Sequence, residues 1–532
     1  MTARQRLFVF LGVLTVLRLV VASQIELFPD ESYYFMWSER MDVSYFSKGP
    51  GVAAAIWLGT HLFGVSEFGV RFLSPLFGLG TSLLLFSFGR RLYGESVGIW
   101  TAVMINLLPI FNVGSLVMTI DPLSIFFWTA ALYTFWLALE RSPDFSKWWP
   151  ATGALIGLGF LSKYTNAMQL LSIVLLLAIT PKYRREFRHA GFWSMLGVAL
   201  LGALPPVIWN ARHDWVTFFH LVARGGLQKR ATIDLAETGK FLAVHFGVYS
   251  PLIFAGLLAA VWWGWKRARH QWKPRFLLAF ALPLFVLYFG LALKEAGEAN
   301  WTAPGAISLG VLAVALWHER AERSVRARRF AGAALACGLV CSLLILNLDV
   351  ARALGVPWPY RLDPGARMRG WRMAATKLEQ VRANFEATLG APVFLIANEH
   401  EVASSLAFYL KDKRPEGPGY PPIFIPESQE IQDQFSFWHR YDEFLDPKEV
   451  PASRSQVHGE RDEFYTEEGG VNVFLGRSAL YITDRPEEKA PTAIKGGFEQ
   501  VEMIACIDQT RRGLPLRQLR IFACRRYRSL PL

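Results

Sequence analysis

Acids and amines stand out in this sequence because they interrupt long apolar runs. Asp30 and Glu31 follow the first run, in Pro29-Asp30-Glu31-Ser32-Tyr33-Tyr34, and Lys48 comes soon after in Tyr45-Phe46-Ser47-Lys48-Gly49-Pro50. Asp121 opens a later run, Lys163 closes the next one, and His213 lies in Asn210-Ala211-Arg212-His213-Asp214-Trp215. Glu298 and Asn300 form a further pair in Glu298-Ala299-Asn300-Trp301. A carboxylate in such company can take the proton of an attacking hydroxyl while ammonium groups neutralise a departing phosphate. Unpaired charge beside hydrocarbon is costly, so residues of this kind tend to be functional.

Each residue taken alone has a plainer reading. Acids favour helix starts, which covers Asp30 and Glu31, and Asp121 before Pro122 looks like a helix cap. Lys48 and Lys163 can snorkel at an interface, and Tyr33, Tyr34 and Tyr45 fit an interfacial aromatic belt. His213 and Asp214 fit a braced loop. The argument for chemistry is that all of them emerge on one side of the same set of apolar runs.

Those runs are the elements that must position them. The chain has 532 residues, 52% hydrophobic and 14% aromatic, with 19% charged against about 25% in a soluble domain. This excludes wholesale disorder and, with four cysteines, a disulfide-dense scaffold. Apolar runs lie at about 7–23, 68–88, 97–117, 122–139, 149–161, 167–180, 192–209, 241–263, 276–293, 303–317 and 330–348. They predict a polytopic α-helical membrane protein with about eleven transmembrane helices. The run 51–63 has 13 residues, short of a crossing, and reads as an interfacial or re-entrant helix. Glycines such as Gly153, Gly157 and Gly159 read as close helix contacts.

Charge gives the orientation. The formal net charge is +12, which in a soluble protein would point to nucleic acid. With the N-terminus inside, the inner loops carry 20 basic and six acidic residues, whereas 349–532 carries 25 basic and 26 acidic. The excess therefore marks the cytoplasmic loops and removes the nucleic-acid reading. The expected domains are 1–348, a membrane domain with a first outer loop at 28–66, and 349–532 outside the membrane. In the latter, 371–389 and 401–410 read as helices, 392–397 and 479–483 as strands, and 501–507 with 519–523 as a hairpin: a small soluble α/β domain. Cys506 and Cys524 fall on that hairpin, where an oxidising compartment permits a disulfide.

The segments PDESYYFMW, YFSKGP, EFGVRFLSPLFG, TIDPLSIFFWTAALY, FLSKYT, WNARHDWVTF and EANWTAP span residues 29–304. Here the chain resembles the GT-C superfamily of polyprenyl-phosphate-sugar-dependent glycosyltransferases. Within it the bacterial family 39 branch is the most similar, the branch related to protein O-mannosyltransferases and lipid A aminoarabinose transferases. The resemblance implies inverting transfer of a sugar from a polyprenyl-phosphate donor to lipopolysaccharide, another envelope glycolipid or protein, at the periplasmic face of a bacterial inner membrane. It implies Asp30 as the catalytic acid of the first outer loop, acting as general base or metal-assisted activator, with Glu31 beside it and Asp121 as a second acid. Lys48 then contacts the donor phosphate, and Tyr33 and Tyr34 line the substrate cavity; the clustering of charges and polar residues, apart from the resemblance, adds Lys163 at the phosphate and Tyr45, His213, Glu298 and Asn300 in the cavity. Where aminoarabinose transferases have Glu-Lys-Pro-Pro, this chain has Ser47-Lys48-Gly49-Pro50. That removes one acid from a divalent-metal site on Asp30 and Asp121, the one cofactor the resemblance leaves open.

A lipid or glycan transporter is the rival reading. It would place polar residues near the membrane midplane and tends to carry internal repeats. The charged residues here gather instead at one edge, and no repeat is evident in the sequence.

Overall fold

The computed structural model describes all residues except 225–232, 296, 357, 415, 427, 429, 445–469, 487–488 and 529–532. The chain divides into two compact units, one made of residues 1–24 and 41–356, the other of 25–40 and 357–532.

The first unit is helical. Among the described residues, seven helices are long and apolar enough to cross a membrane: Ala3–Gln24, Glu67–Tyr93, Ile120–Glu140, Ala190–Arg212, Trp272–Ala292, Ala299–Arg323 and Val325–Leu346. Leu235–Val248 and Pro251–Ala268 make an eighth if a pair bent by 108° counts as one span. The expected count of about eleven is reduced because several apolar runs are broken. The run 97–117 divides into Glu95–Leu107 and Pro109–Gly114, where the proline cannot donate to the preceding helix. Trp148–Ser162 has 15 residues and Met168–Ile179 has 12, both short of the ~20 that a crossing takes. Gly51–Phe63 is a helix of 13 residues.

The first unit's core is built from the facing sides of these helices, with Trp128, Phe135, Trp149, Phe276 and Phe280 fully buried. Small residues let backbones approach. A Cβ on Gly153 would lie 2.2 Å from the Met195 carbonyl oxygen, and one on Gly157 would lie 3.1 Å from the Gly202 Cα. Arg18, inside the first span, is held at 2.8 Å by the amide oxygens of both Asn106 and Asn112. It is thus a partnered structural cation.

The second unit holds a four-stranded sheet of order β1-β2-β4-β3, formed by β1 (Phe394–Ala397), β2 (Ala479–Thr483), β3 (Phe498–Arg511) and β4 (Leu514–Tyr527). β1 runs parallel to β2, and the other pairs are antiparallel. Helices Trp371–Leu389 and His400–Tyr409 occupy the stretches whose spacing predicts them. The hairpin forms, but its register sets Cys506 opposite Arg520 and Cys524 opposite Val501. The two thiols are free, so the disulfide that the compartment would permit is not made.

Residues 25–40, expected within the membrane domain's first outer loop, group instead with the C-terminal region. The contacts explain it. Leu27 N donates to the Tyr409 hydroxyl at 2.7 Å, and Glu26 accepts from Trp371 N at 2.6 Å. Phe35 meets Phe408 edge-on at 5.0 Å, and Arg40 donates to the Tyr420 carbonyl at 2.8 Å.

Candidate functional site

In the first unit, helix Ile120–Glu140 starts at Thr119, whose hydroxyl accepts from Asp121 N at 3.3 Å. This puts the Asp121 carboxylate in the first turn. Its Oδ1 accepts from Lys163 Nζ at 2.8 Å and its Oδ2 from Asn300 Nδ2 at 2.7 Å. Lys163 also donates to the Asn300 carbonyl at 3.5 Å. Helix Trp148–Ser162 stops at Lys163, which is extended, and a tight turn over Tyr164–Ala167 follows. Asn166 in that turn accepts from the Ser124 hydroxyl at 2.6 Å and donates to the Ser124 carbonyl at 3.1 Å. Ser124 is one helical turn beyond Asp121, so this exchange fixes Lys163 against it. Asn300 comes from the turn Ala299–Thr302, where Thr302 Oγ1 lies 2.9 Å from both His245 Nε2 and Tyr249 OH.

The Lys48 loop is pinned to the same turn. Tyr45 N donates to the Lys48 carbonyl at 3.0 Å, and the Ser44 hydroxyl lies 3.1 Å from Tyr164 OH. Gly49 presses on the chain just before Lys163, because a Cβ there would sit 2.2 Å from the Leu161 carbonyl oxygen. Tyr45 is fully buried, its hydroxyl accepts from Asp42 N, and burial pushes its phenol up to about 12. It shapes the loop from within.

Helix Val216–Arg224 lies alongside, with Thr217 Oγ1 donating to the Tyr45 carbonyl at 3.4 Å. His220 on this helix packs 4.6 Å from the Phe46 ring. Its Nε2 is buried and has no hydrogen-bond partner among the described residues. Burial, then the charges of Lys48 and Arg224, push this imidazole down to about 4. The Arg224 guanidinium lies 6.0 Å from the Trp301 ring centre, beside Asn300. Lys48 and Arg224 thus make a cationic neighbourhood around a neutral His220.

In the second unit, Pro29–Ser38 is a helix with proline at its first position. Glu31, expected beside Asp30 in catalysis, is fully buried, and its Oε2 accepts from Phe28 N at 2.8 Å. That bond is the reach-back of a helix cap. Tyr33 is buried, and its hydroxyl accepts from Gln434 N at 2.7 Å. Burial and then Asp433 hold its phenol well above the ordinary range. Tyr34 is buried against Trp37 at 4.9 Å. Asp30 is half-buried. Its charge reaches His400, whose ring lies 4.5 Å from that of Tyr33 and whose Nδ1 lies 3.0 Å from Asp433 Oδ2.

Two expected cavity residues have other placements. His213 stacks on Trp209 at 4.0 Å, with Nδ1 2.7 Å from the Trp209 carbonyl oxygen, bracing the turn at 210–215. Glu298 is exposed, and its carbonyl accepts from Trp301 N at 3.0 Å. His220, Arg224, His400 and Asp433 were not among the expected site residues. Their signal was weak, since each lies in a polar stretch where such residues are ordinary.

A divalent metal on Asp30 and Asp121 is not supported by the donor set. Both Asp121 oxygens are engaged, one by an ammonium that would repel a cation. Among the described residues no three His, Cys, Asp or Glu side chains come together as a ligand group.

The family model described as dolichyl-phosphate-mannose-protein mannosyltransferase matches residues 47–209, a segment holding Lys48, Asp121 and Lys163. The lipid A galacturonosyltransferase RgtD of Rhizobium johnstonii is 26% identical over 437 residues, covering 81% of this chain and 88% of that protein. The ArnT structure from Cupriavidus metallidurans bound to undecaprenyl phosphate superposes with a TM-score of 0.60 at 18% identity, covering 98% of both chains. The chain is thus similar to GT-C polyprenyl-phosphate-sugar glycosyltransferases, and it is a glycosyltransferase. The undecaprenyl phosphate-α-4-amino-4-deoxy-L-arabinose arabinosyl transferase of Edwardsiella ictaluri is 28% identical over 296 residues, about half of each chain. None of these relatives is a transporter, and the transporter reading of the membrane charges has no support. The enzyme is a multi-pass membrane protein with a sheet-containing C-terminal region.

Proposed function

We propose that this enzyme transfers a single sugar, with inversion, from a polyprenyl phosphate to lipid A or a kindred envelope glycolipid at the periplasmic face of a bacterial inner membrane. The observation that carries this reading is the cationic neighbourhood of Lys48 and Arg224, which with burial holds His220 neutral. It suits a phosphate that gains negative charge as it leaves. Lys163 supplements it: an ammonium has three N–H donors, two of which go to Asp121 and Asn300, leaving one for phosphate.

In the transfer, the acceptor hydroxyl oxygen attacks the anomeric carbon and its proton passes to Asp30. The bond from the anomeric carbon to the phosphate oxygen breaks, and polyprenyl phosphate departs with the electron pair. Asp121 holds Lys163 and balances its charge, while Glu31 caps the helix that carries Asp30. The inner loops rich in arginine and lysine face the cytoplasm on this reading, and the C-terminal unit is periplasmic. The lipid A acceptor is supported by the names of the relatives and by the share of the galacturonosyltransferase that the match covers.

The test is reconstitution of the purified full chain with lipid A and undecaprenyl phosphate carrying galacturonic acid or 4-amino-4-deoxy-L-arabinose. The expected result is lipid A heavier by one sugar residue, of inverted anomeric configuration. Unmodified lipid A with both donors, from a folded enzyme, would overturn the assignment of acceptor or donor class.

A further inference from the structure

In the first unit, a cavity of about 460 Å³ lies at the turn where helix Ala303–Arg323 gives way, through Ser324, to Val325–Leu346. Ala303–Arg323 has 21 residues, so this turn is about 30 Å from Asn300, which precedes the helix. One wall of the cavity is aromatic. The Trp317 and Phe330 rings pack at 4.5 Å, and Trp317 Nε1 donates to the Gly256 carbonyl at 3.2 Å. The charged lining is Arg320, Arg323 and Arg326 against one acid, Glu319. That acid is already engaged, by Arg267 at 2.8 and 3.2 Å and by Arg323 at 3.5 Å. Arg320 and Arg326 are exposed and, among the described residues, make no ion pair.

The surroundings set the depth of this cavity in a bilayer. Arg267 reaches Glu319 from the end of helix Pro251–Ala268, so the two helix ends share a level. On that helix Trp262 and Trp265 are 65% and 57% exposed, and the Lys266 ammonium lies 4.2 Å from the Trp262 ring centre. Exposed tryptophan beside a basic residue marks the level of lipid head groups. Of the seven spans, Ala299–Arg323 is the most enclosed, with 78% of its apolar stretch buried, and Val325–Leu346 the least, with 17%. The cavity thus opens where the chain passes from the protein's interior to its lipid-facing side.

We propose that this cavity binds the head group of an anionic phospholipid, cardiolipin above phosphatidylglycerol, in the leaflet on the side of the basic loops. Arg320 and Arg326 take the phosphate oxygens, which the planar guanidinium fork fits better than an ammonium does. Cardiolipin is preferred because it carries two phosphates and the cavity offers two arginines that no acid engages. The acyl chains lie along Val325–Leu346, where Leu339, Val340 and Leu343 are exposed. A free phosphate would use the same arginines but gain nothing from that apolar side. The site is separate from the donor phosphate of the proposed transfer and stands whether or not that reading does.

The experiment is native mass spectrometry and thermal unfolding of the full-length protein, delipidated in detergent. It is titrated in turn with cardiolipin, phosphatidylglycerol, phosphatidylethanolamine and inorganic phosphate. Wild type is compared with the double variant Arg320→Gln/Arg326→Gln and with Arg4→Gln/Arg6→Gln, which removes equal charge at another exposed position. Wild type is expected to retain a single cardiolipin and to melt higher with it, less so with phosphatidylglycerol, and to be unmoved by phosphatidylethanolamine or inorganic phosphate. Arg320→Gln/Arg326→Gln should bind cardiolipin at least about tenfold more weakly, as the loss of charge-assisted hydrogen bonds predicts. It should melt as wild type does without lipid, because both side chains are exposed. Arg4→Gln/Arg6→Gln should bind cardiolipin as wild type does. Undiminished cardiolipin binding by Arg320→Gln/Arg326→Gln would overturn the proposal. Equal losses in the two double variants would also overturn it, since net charge alone would then account for the binding. A shift with inorganic phosphate or phosphatidylethanolamine that matches cardiolipin's would overturn the assignment to an anionic lipid.

Discussion

Asp121 in the first unit and Asp30 in the second each stand near a basic nitrogen, but the surroundings treat the two carboxylates differently. Asp121 has both oxygens engaged, by Lys163 and by Asn300, and the lysine side chain is 8% exposed. A carboxylate so held is a fixed counter-charge. Asp30 is half-buried, and its charge acts on His400, an imidazole that Asp433 holds at 3.0 Å. On the function proposed above, Asp30 takes the proton and Asp121 balances the charge of Lys163.

The comparison can be broken at its strongest point first. Asp30→Asn is expected to lower kcat by about 10³-fold, within the range for a general base, with little change in thermal midpoint. The check is single-turnover transfer alongside a melting curve. Asp121→Asn, which retains oxygen and amide atoms but loses the charge, is expected to lose less.

Lys163→Ala comes next. It leaves the Asp121 carboxylate without its ion, and breaking a largely buried pair costs about 3–5 kcal/mol. Thermal unfolding in detergent should show a marked loss, smaller in the double variant that also carries Asp121→Ala. If single and double variants melt alike, the pair is not the fixed counter-charge described.

Gly49→Ala should have a smaller effect. Its Cβ would overlap the Leu161 carbonyl, so the Lys48 loop must shift, at about 1–3 kcal/mol. Donor KM should rise while the acceptor KM holds, and unchanged kinetics would detach the loop from Lys163's turn.

The smallest expected effect is on pH dependence. His400 is raised above its ordinary value, so its contribution to stability is full below about pH 6.5 and is lost as pH rises through the raised value. Melting of wild type should therefore fall more steeply above pH 6.5 than melting of His400→Gln, and parallel curves would contradict the His400–Asp433 pairing.

Much of this was legible in the sequence, for identifiable reasons. Hydropathy locates the long spans because a bilayer imposes length, and short apolar runs find all four strands of the second unit, though not the full length of β3 and β4. Asp121 and Lys163 were conspicuous as charges beside apolar helices, and they meet at 2.8 Å. Apolar composition alone did not reveal where Pro109 or the Lys163 turn interrupts a run. The grouping of residues 25–40 with the C-terminal unit depends on partners such as Tyr409 and Gln434, some 400 positions away, which no local pattern encodes. His220, His400 and Asp433 were hidden for the same reason, and the cap made by Glu31 is a local job that an acid pair disguises.

The central claim is that Lys48 holds the donor's phosphate and that Asp30 takes no part in holding it. It is tested most directly by the affinity of undecaprenyl phosphate for wild type, Lys48→Ala and Asp30→Asn. The account expects Lys48→Ala to weaken binding about tenfold or more, as loss of a charge-assisted hydrogen bond would, and Asp30→Asn to bind as wild type does. Undiminished binding by Lys48→Ala, or an equal loss in Asp30→Asn, would contradict it.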